Sequence, residues 1–223
     1  MDLSENVRPF VEPKTVAIEK AFELIRDDLE KVDFECRKNL KSDVSIISAI
    51  GEYLLLSGGK RFRPILLLLS ARLCGYHGGH HIPLASLVEF IHTATLLHDD
   101  VVDKAEIRRG NESANSKWGN EASVLVGDFL FTKSFSLLVD NGNWEIIQVL
   151  SRATTLMAEG ELEELIRTDD LSLTEADYLS IISRKTASLI SATSQWARSL
   201  RMFPRKERML YLTSDWIWGL PFS

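Results

Sequence analysis

The sequence predicts an all-α protein. Apolar positions follow a helical period through most of the 223 residues, and glycines or prolines separate the periodic stretches. Alternating runs of Val, Ile and Thr, which are typical of strands, are scarce, and we find no hairpin signal. Because no repeat or interdomain linker interrupts this pattern, we expect residues 1–223 to form a single all-helical domain.

The first three helices are marked by their apolar stripes and by their ends. Residues 16–29 predict one amphipathic helix, and residues 46–54 predict a second that stops at Gly58 and Gly59. Pro64 suits the first turn of a third helix, and Gly75 suits the cap that ends it.

A long helix is expected next, beginning near Pro83 and running through Asp103. The segment that follows it, residues 104–118, is predicted to be a loop. Thr174 and Asp177 have the spacing of a capping box at the start of a later helix. The remaining helices are expected at 121–140, 144–168 and 174–200.

Composition excludes several classes of protein. A net charge of -6 argues against non-specific binding to nucleic acid. The two cysteines form no CxxC pair, so neither a disulfide framework nor a zinc site is indicated, and we expect a reducing cytoplasm. The polar first residues are unlike a signal peptide. The most apolar run, residues 65–69, is too short for a transmembrane segment.

The most informative segment is HDDVVDKAEIRRG, residues 98–110. Asp99 and Asp103 differ by about 40° around a helix and share one face, with Asp100 beside the first. Arg108 and Arg109 follow within one loop. Carboxylates that hold a divalent metal, followed by guanidiniums, suit a polyphosphate that arrives with its metal.

The alternative interpretation of this segment is a solvated acidic helix end. The apolar residues Ala94, Leu96 and Leu97 weaken it, because they place the carboxylates at the edge of a core. Anions at a helix C-terminus also oppose the helix dipole, and a bound cation would reverse that cost. His92, seven residues before Asp99, falls on nearly the same face.

A second cationic segment is GGKRFRP, residues 58–64. Its glycines permit close approach of the backbone, and Lys60, Arg61 and Arg63 can surround an anion. The spacing of a Walker A loop is absent. A solvated basic turn is the alternative, and the companion segment at 98–110 makes it less favoured.

Together these segments resemble the trans-isoprenyl diphosphate synthases, specifically the bacterial polyprenyl type. The resemblance rests on GGKRFRP, EFIHTATLLHDDVVDKAEIRRG from Glu89, GDFLF from Gly127 and RKTASLI from Arg184. It implies an isoprenoid-synthase-type helical bundle around a central cavity, here lacking its C-terminal helices.

The resemblance also implies an activity: Mg²⁺-dependent head-to-tail condensation of isopentenyl diphosphate with an allylic diphosphate. By matching position, the magnesium ligands would be Asp99, Asp103 and Asp100. The allylic diphosphate would be held by Arg108, Lys185 and Thr186, and isopentenyl diphosphate by Lys60, Arg63, His92 and Arg109. Asp99, Asp103 and Lys185 would be the catalytic residues.

Two features of the later helices have simpler interpretations. A Lys-Thr pair such as Lys185-Thr186 inside a helix is usually on the surface, and only the resemblance raises it to a site. Four glutamates at 159, 161, 163 and 164 are most simply a solvated helix face. Glu161 is nevertheless kept as a site candidate, since it follows Gly160 at a position that resembles a cavity-facing one in the family.

Product length is predicted from the residues one to two turns before Asp99. The growing chain is expected to pass Thr95, Ala94 and Ile91, none of which is aromatic. In the family, bulky side chains at such positions stop elongation early. We therefore expect a long-chain product.

The C-terminal stretch SDWIWGLPFS, residues 214–223, departs from the family pattern, and no second aspartate-rich motif follows it. A truncated form of impaired activity is expected, or one that a partner chain completes. A non-catalytic partner subunit of a synthase is the alternative function. A terpene cyclase ranks last, because it has no need of GGKRFRP. We expect a homodimer through the mid-chain helices, or a heteromer with an intact synthase.

Overall fold

The computed structural model describes residues 13–56, 59–140 and 143–200, and within them the prediction of an all-helical fold is confirmed. The first four helices are α1 (Pro13–Asn39), α2 (Ser45–Leu56), α3 (Phe62–Leu73) and α4 (His81–Val102). The later helices are α5 (Ala114–Trp118), α6 (Asn120–Asp140), α7 (Trp144–Arg167), α8 (Glu175–Ile182) and α9 (Ser188–Leu200).

Helix α4 lies at the centre of the bundle and carries the segment with the aspartates at its end. It packs against α1, α3, α6 and α9. Its residues from Leu84 to Val88 are buried on every side, as expected of a helix that is apolar all round. The rest of the core comes from α1, α2, α3, α5, α6, α7 and α9, and includes the fully buried Trp196.

Helix α6 packs along α4. Among the described residues it is long and apolar enough, by length and composition, to cross a bilayer. Core helices of globular proteins pass the same test, and a third of its most apolar window is buried inside this bundle.

The predicted helix ends are confirmed where residue chemistry defines them. Pro64 lies in the first turn of α3, and Gly75 has the left-handed φ of 65° that ends it. The amide of Gly75 donates to the carbonyl of Arg72, and that of Tyr76 donates to Ala71, which is the Schellman pattern. The capping box of Thr174 and Asp177 is also present.

The prediction of an unstructured loop without a hairpin at 104–118 was wrong. Strands β1 (Ile107–Arg108) and β2 (Asn111–Glu112) form a short antiparallel hairpin, and α5 follows. The two turn residues of the hairpin are Arg109 at φ 53° and Gly110 at φ 80°, as in a type I′ turn. Two-residue strands show no alternation, and Arg is an unusual first turn residue, so the sequence carried little signal.

The predicted helix at 174–200 is continuous but contains a π-helical turn, Ser183–Ala187. Helix α7 lies very close to this turn. A Cβ atom on Gly160 of α7 would lie 2.6 Å from the backbone nitrogen of Lys185. The two backbones therefore approach more closely than any other residue would allow. Predictions that concern Gly58 and residues 214–223 lie outside the described residues.

Candidate functional site

The C-terminal end of α4 presents two carboxylates on one face, as predicted. Asp99 is half-buried in the last turn, and Asp103, which is exposed, caps the helix. Burial raises the pKa of Asp99 to about 6, and the negative charges of Glu161 and Asp103 act in the same direction. Lys185 and Arg108 oppose this shift without cancelling it. The negative charge of Asp99 is therefore disfavoured by its surroundings, and a bound cation would stabilise it.

Asp100 differs from its two neighbours, because its side chain is 0% exposed. Its Oδ1 accepts a hydrogen bond of 2.7 Å from Nε of Arg108 and a second from Nη2. Its Oδ2 is buried with no hydrogen-bond partner among the described residues. The resemblance grouped Asp100 with the metal ligands, whereas the structure pairs it with an arginine inside the protein.

The hairpin that carries the two arginines is held against α2. The Tyr53 hydroxyl donates a 2.7 Å hydrogen bond to the carbonyl of Glu112. The Lys117 ammonium lies 4.4 Å from the ring centre of Tyr53 and 4.6 Å from that of Trp118, distances typical of cation–π contacts. These contacts fix the position of the turn from which Arg109 projects.

A basic cluster lies beside the acidic end of α4, formed by Arg63, His92, Arg108 and Arg109. Burial lowers the pKa of His92 to about 2, and the charges of the three arginines add to the shift. His92 is therefore a neutral imidazole. Burial also lowers the pKa of Arg63, and its Nε has no hydrogen-bond partner among the described residues. The guanidiniums of Arg63 and Arg109, beside a neutral hydrogen-bonding ring, suit an anion.

Gly59 permits part of this cluster. A Cβ atom at this position would lie 3.0 Å from Nη1 of Arg109, so the guanidinium rests against the glycine backbone. Lys60 is exposed next to it. The two predicted basic segments therefore meet in space.

Arg61, expected to join this anion site, instead faces α1 and α4. Its Nη1 donates to Glu89 at 2.7 Å, and its Nη2 donates to the carbonyl of Leu55 at 3.0 Å and lies 3.2 Å from Asp33. Its φ of 50° turns the chain before α3 begins. The expectation for Arg61 was wrong because a buried carboxylate, Glu89, occupies its guanidinium.

Lys185 lies across from Asp99, in the π-helical turn. Its ammonium is 2.9 Å from Glu161 and also donates to Glu164. Burial opposes the charge of this ammonium, but the two carboxylates outweigh it and raise the pKa of Lys185. Thr186 follows it and is half-buried. The structure thus brings Lys185 to the acidic end of α4.

The prediction that the glutamates of α7 form a solvated face holds for Glu159 and Glu164, which are exposed, and was wrong for Glu161 and Glu163, which are half-buried. Glu161 and Glu164 contact Lys185, and Glu163 lies 3.3 Å from Arg184. Glu164 was missed as a site residue. The available signal was its i, i+3 spacing from Glu161, which puts both carboxylates on one side of the helix.

The three residues predicted to govern product length lie on α4 below Asp99. Ile91 and Ala94 are fully buried in the core, and Thr95 is half-buried. The hydroxyl of Thr95 donates to the carbonyl of His92 at 2.8 Å. All three side chains are small or aliphatic.

The donor set at the acidic end suits magnesium bound together with a substrate. No group of three or more His, Cys, Asp or Glu side chains that could hold a metal by itself occurs in the described ranges. Asp99 and Asp103 offer two carboxylates, and burial disfavours the negative charge of the first in the absence of a cation. Mg²⁺ commonly uses one or two carboxylates and completes its shell with phosphate oxygens and water.

Residues 44–211 match the family model described as polyprenyl synthetase. The chain belongs to this family. A curated relative, the octaprenyl diphosphate synthase of Escherichia coli, is 45% identical over 178 residues, which are 80% of this chain and 55% of the relative. The octaprenyl diphosphate synthase of Haemophilus influenzae is 42% identical over 82% of this chain and 55% of its own.

Solved structures of polyprenyl synthetase family members have the same fold. A decaprenyl diphosphate synthase from Rhodobacter capsulatus is 40% identical, with a TM-score of 0.86, over 91% of this chain and 62% of that one. A polyprenyl synthase from Caulobacter crescentus, complexed with calcium and isoprenyl diphosphate, is also 40% identical, with a TM-score of 0.87 and the same coverages. The chain spans about half the length of the curated relatives it matches.

Proposed function

We propose that the protein is a long-chain polyprenyl diphosphate synthase. It would join isopentenyl diphosphate to an allylic diphosphate in the presence of Mg²⁺, forming a carbon–carbon bond head to tail and releasing diphosphate. The relatives named above are octaprenyl and decaprenyl synthases, and one family structure holds calcium and isoprenyl diphosphate. The proposal that this chain uses isoprenyl diphosphates and a divalent metal follows from those proteins.

The observation that carries the proposal is that two unlike charge clusters lie side by side. The acidic end of α4, with Asp99 and Asp103, suits a diphosphate that arrives with metal. The basic cluster around Arg63 and Arg109 suits a diphosphate without metal. His92 lies on α4, as Asp99 does, and it lies among the arginines of the basic cluster. One protein surface can therefore hold two diphosphates in different ways.

The residues divide the chemistry accordingly. Asp99 and Asp103 would hold Mg²⁺, which supplies positive charge to the leaving diphosphate as the allylic carbon–oxygen bond breaks. Lys185 would donate a hydrogen bond to the same diphosphate, with Thr186 beside it. Lys60, Arg63, His92 and Arg109 would bind isopentenyl diphosphate. Arg108, whose guanidinium also pairs with the buried Asp100, would contact the allylic diphosphate.

Further properties concern the product, the cellular setting, the assembly and the domain. A long product is supported by the absence of aromatic side chains at Ile91, Ala94 and Thr95. A cytoplasmic setting is supported by Cys36 and Cys74, which are buried free thiols. A homodimer through the mid-chain helices is supported by the exposed apolar residues of α6, including Leu125 and Val139. The single domain is proposed to cover residues 1–223.

The experiment is a condensation assay with radiolabelled isopentenyl diphosphate, farnesyl diphosphate as the allylic partner, and Mg²⁺. Labelled polyprenols should appear after phosphatase treatment, and Asp103→Asn should abolish them. Asp140→Asn is the matched control, since Asp140 is also an exposed aspartate at a helix end. Loss of product in both variants, or in neither, would contradict the assignment.

The second candidate function is a non-catalytic partner subunit of a synthase. It is favoured by one observation: no group of three or more His, Cys, Asp or Glu side chains in the described residues could hold a metal by itself. In that case the chain alone would bind diphosphate and form no polyprenol. Addition of an intact family member would then restore product beyond what that member makes alone.

A further inference from the structure

We propose that Glu161 and Glu164 are positioning residues that aim the Lys185 ammonium at the substrate diphosphate. We call the two carboxylates the α7 fork. This inference deepens the proposed function and rests on it, because the role given to Lys185 is to bind the diphosphate at the acidic end of α4.

The first observation is the geometry of the α7 fork. Glu161 lies 2.9 Å from the Lys185 nitrogen, and Glu164 accepts a hydrogen bond from the same atom. The two carboxylates are three residues apart on α7, so they reach the ammonium from one face of that helix. A lysine side chain has four rotatable bonds, and two hydrogen bonds remove much of this freedom.

The second observation is the number of donors. An ammonium group has three N–H bonds, and the α7 fork accepts two of them. Within the described part of the chain no third acceptor is in contact with this nitrogen. The direction of the third N–H is therefore fixed by the other two. The charges of Lys185 and Asp99 act on each other, so the ammonium lies near the acidic end of α4.

The third observation is that the backbone at Lys185 is itself held in place. Lys185 belongs to the π-helical turn, and Gly160, next to Glu161, packs directly against its backbone nitrogen. The backbone of Lys185 and the ammonium at the tip of its side chain are thus both held by the same part of α7. Such preorganisation is what accurate placement of a binding group requires.

The arrangement has an electrostatic cost that makes the inference testable. Glu161 and Glu164 add two negative charges close to a site that is proposed to bind an anion. If charge alone mattered, removing them would strengthen diphosphate binding. If positioning matters, removing the acceptors should weaken binding, even though the site becomes more positive.

The test compares two double variants of equal charge. Glu161→Met with Glu164→Met removes both acceptors, whereas Glu161→Gln with Glu164→Gln keeps an acceptor oxygen at each position. Binding of inorganic diphosphate with Mg²⁺ is measured by calorimetry on the full chain. We expect the Met pair to weaken binding about tenfold or more, and the Gln pair to bind at least as tightly as the unsubstituted chain.

Two further measurements separate positioning from loss of structure. Glu163→Met is the matched control, because Glu163 lies on the same helix and faces Arg184 instead of Lys185; it should leave diphosphate affinity unchanged. In ¹⁵N-lysine NMR of the free chain, the ammonium signal of Lys185, assigned by its absence in Lys185→Gln, should persist in the Gln pair. It should be lost to solvent exchange in the Met pair.

The outcomes are distinct. Unchanged or tighter binding by the Met pair would overturn the positioning role while leaving the proposed function intact. No binding of magnesium diphosphate by the unsubstituted chain would overturn the proposed function, and with it the purpose assigned to the α7 fork. An ammonium signal that is the same in both double variants would show that the α7 fork does not hold Lys185.

Discussion

Asp100 and Arg108 form a buried ion pair that joins the last turn of α4 to the hairpin carrying the basic residues. Asp100 accepts two hydrogen bonds from one guanidinium. A buried carboxylate is strongly disfavoured without such a partner. The pair therefore holds the end of α4, with its acidic residues, next to the hairpin of the basic cluster. It also distinguishes Asp100 from Asp99 and Asp103.

We predict that Asp100→Asn and Asp103→Asn fail in different ways. Asp100→Asn weakens a buried charge pair and should lower the free energy of unfolding by about 3 kcal/mol. Asp103 is exposed, so its replacement should change stability little and reduce magnesium-dependent diphosphate binding. Urea denaturation and calorimetry measure the two effects. Equal stability of both variants would argue against a structural role for Asp100.

Magnesium binding should depend on pH because of Asp99. Its pKa of about 6 means that the carboxyl keeps its proton well above the usual 3.8. Below pH 6 a metal ion must displace that proton, so affinity should fall by about tenfold for each further pH unit. Titrations of Mg²⁺ with inorganic diphosphate between pH 5 and 7.5 measure this slope.

The control for this pH dependence is Glu161→Gln. Since the negative charge of Glu161 raises the pKa of Asp99, its removal should move the midpoint of the magnesium affinity to lower pH.

The same raised pKa affects folding. The metal-free chain should lose stability as pH rises from 3.8 through about 6, because the folded state binds the proton more tightly than the unfolded state. In the binding titrations, a magnesium affinity that is constant from pH 5 to 7.5 would exclude Asp99 as a ligand.

Replacement of Gly160 should disturb the π-helical turn. A Cβ atom there would lie 2.6 Å from the Lys185 nitrogen and 2.9 Å from Cβ of Arg184. Backbone cannot move aside as a flexible side chain does, so Gly160→Ala should cost about 2 kcal/mol of stability. Thermal unfolding measures it. Gly79→Ala is the control, since nothing lies within 4 Å of its added methyl group; a similar loss there would implicate glycine replacement in general.

Product length should shorten in Ala94→Phe. The ring would enter the core side of α4 one turn below Asp99 and block the path assigned to the growing chain. Because Ala94 is fully buried, overpacking should also cost about 1–3 kcal/mol, so unfolding is measured in parallel. Chromatography of labelled polyprenols gives the length. Leu96→Phe, on a different side of α4, should leave the distribution unchanged.

The sequence by itself determined the helices and the residue types at the site. Periodicity and local end signals such as Gly75 and Thr174 act within a few residues, so they can be recognised without a fold. The shared face of Asp99 and Asp103 follows from helix geometry alone. The basic character of residues 58–64 and 108–109 is likewise evident from the chain.

Only the tertiary structure decided which of these charges are free. Asp100 forms an ion pair with Arg108, and Arg61 forms one with Glu89. Lys185 pairs with glutamates that are 21 and more positions away in the chain. The hairpin at 107–112 and the π-helical turn depend on packing against α2 and against Gly160. Charge pairing inside a protein depends on which helices meet and how closely, and local sequence patterns carry no information about that distance.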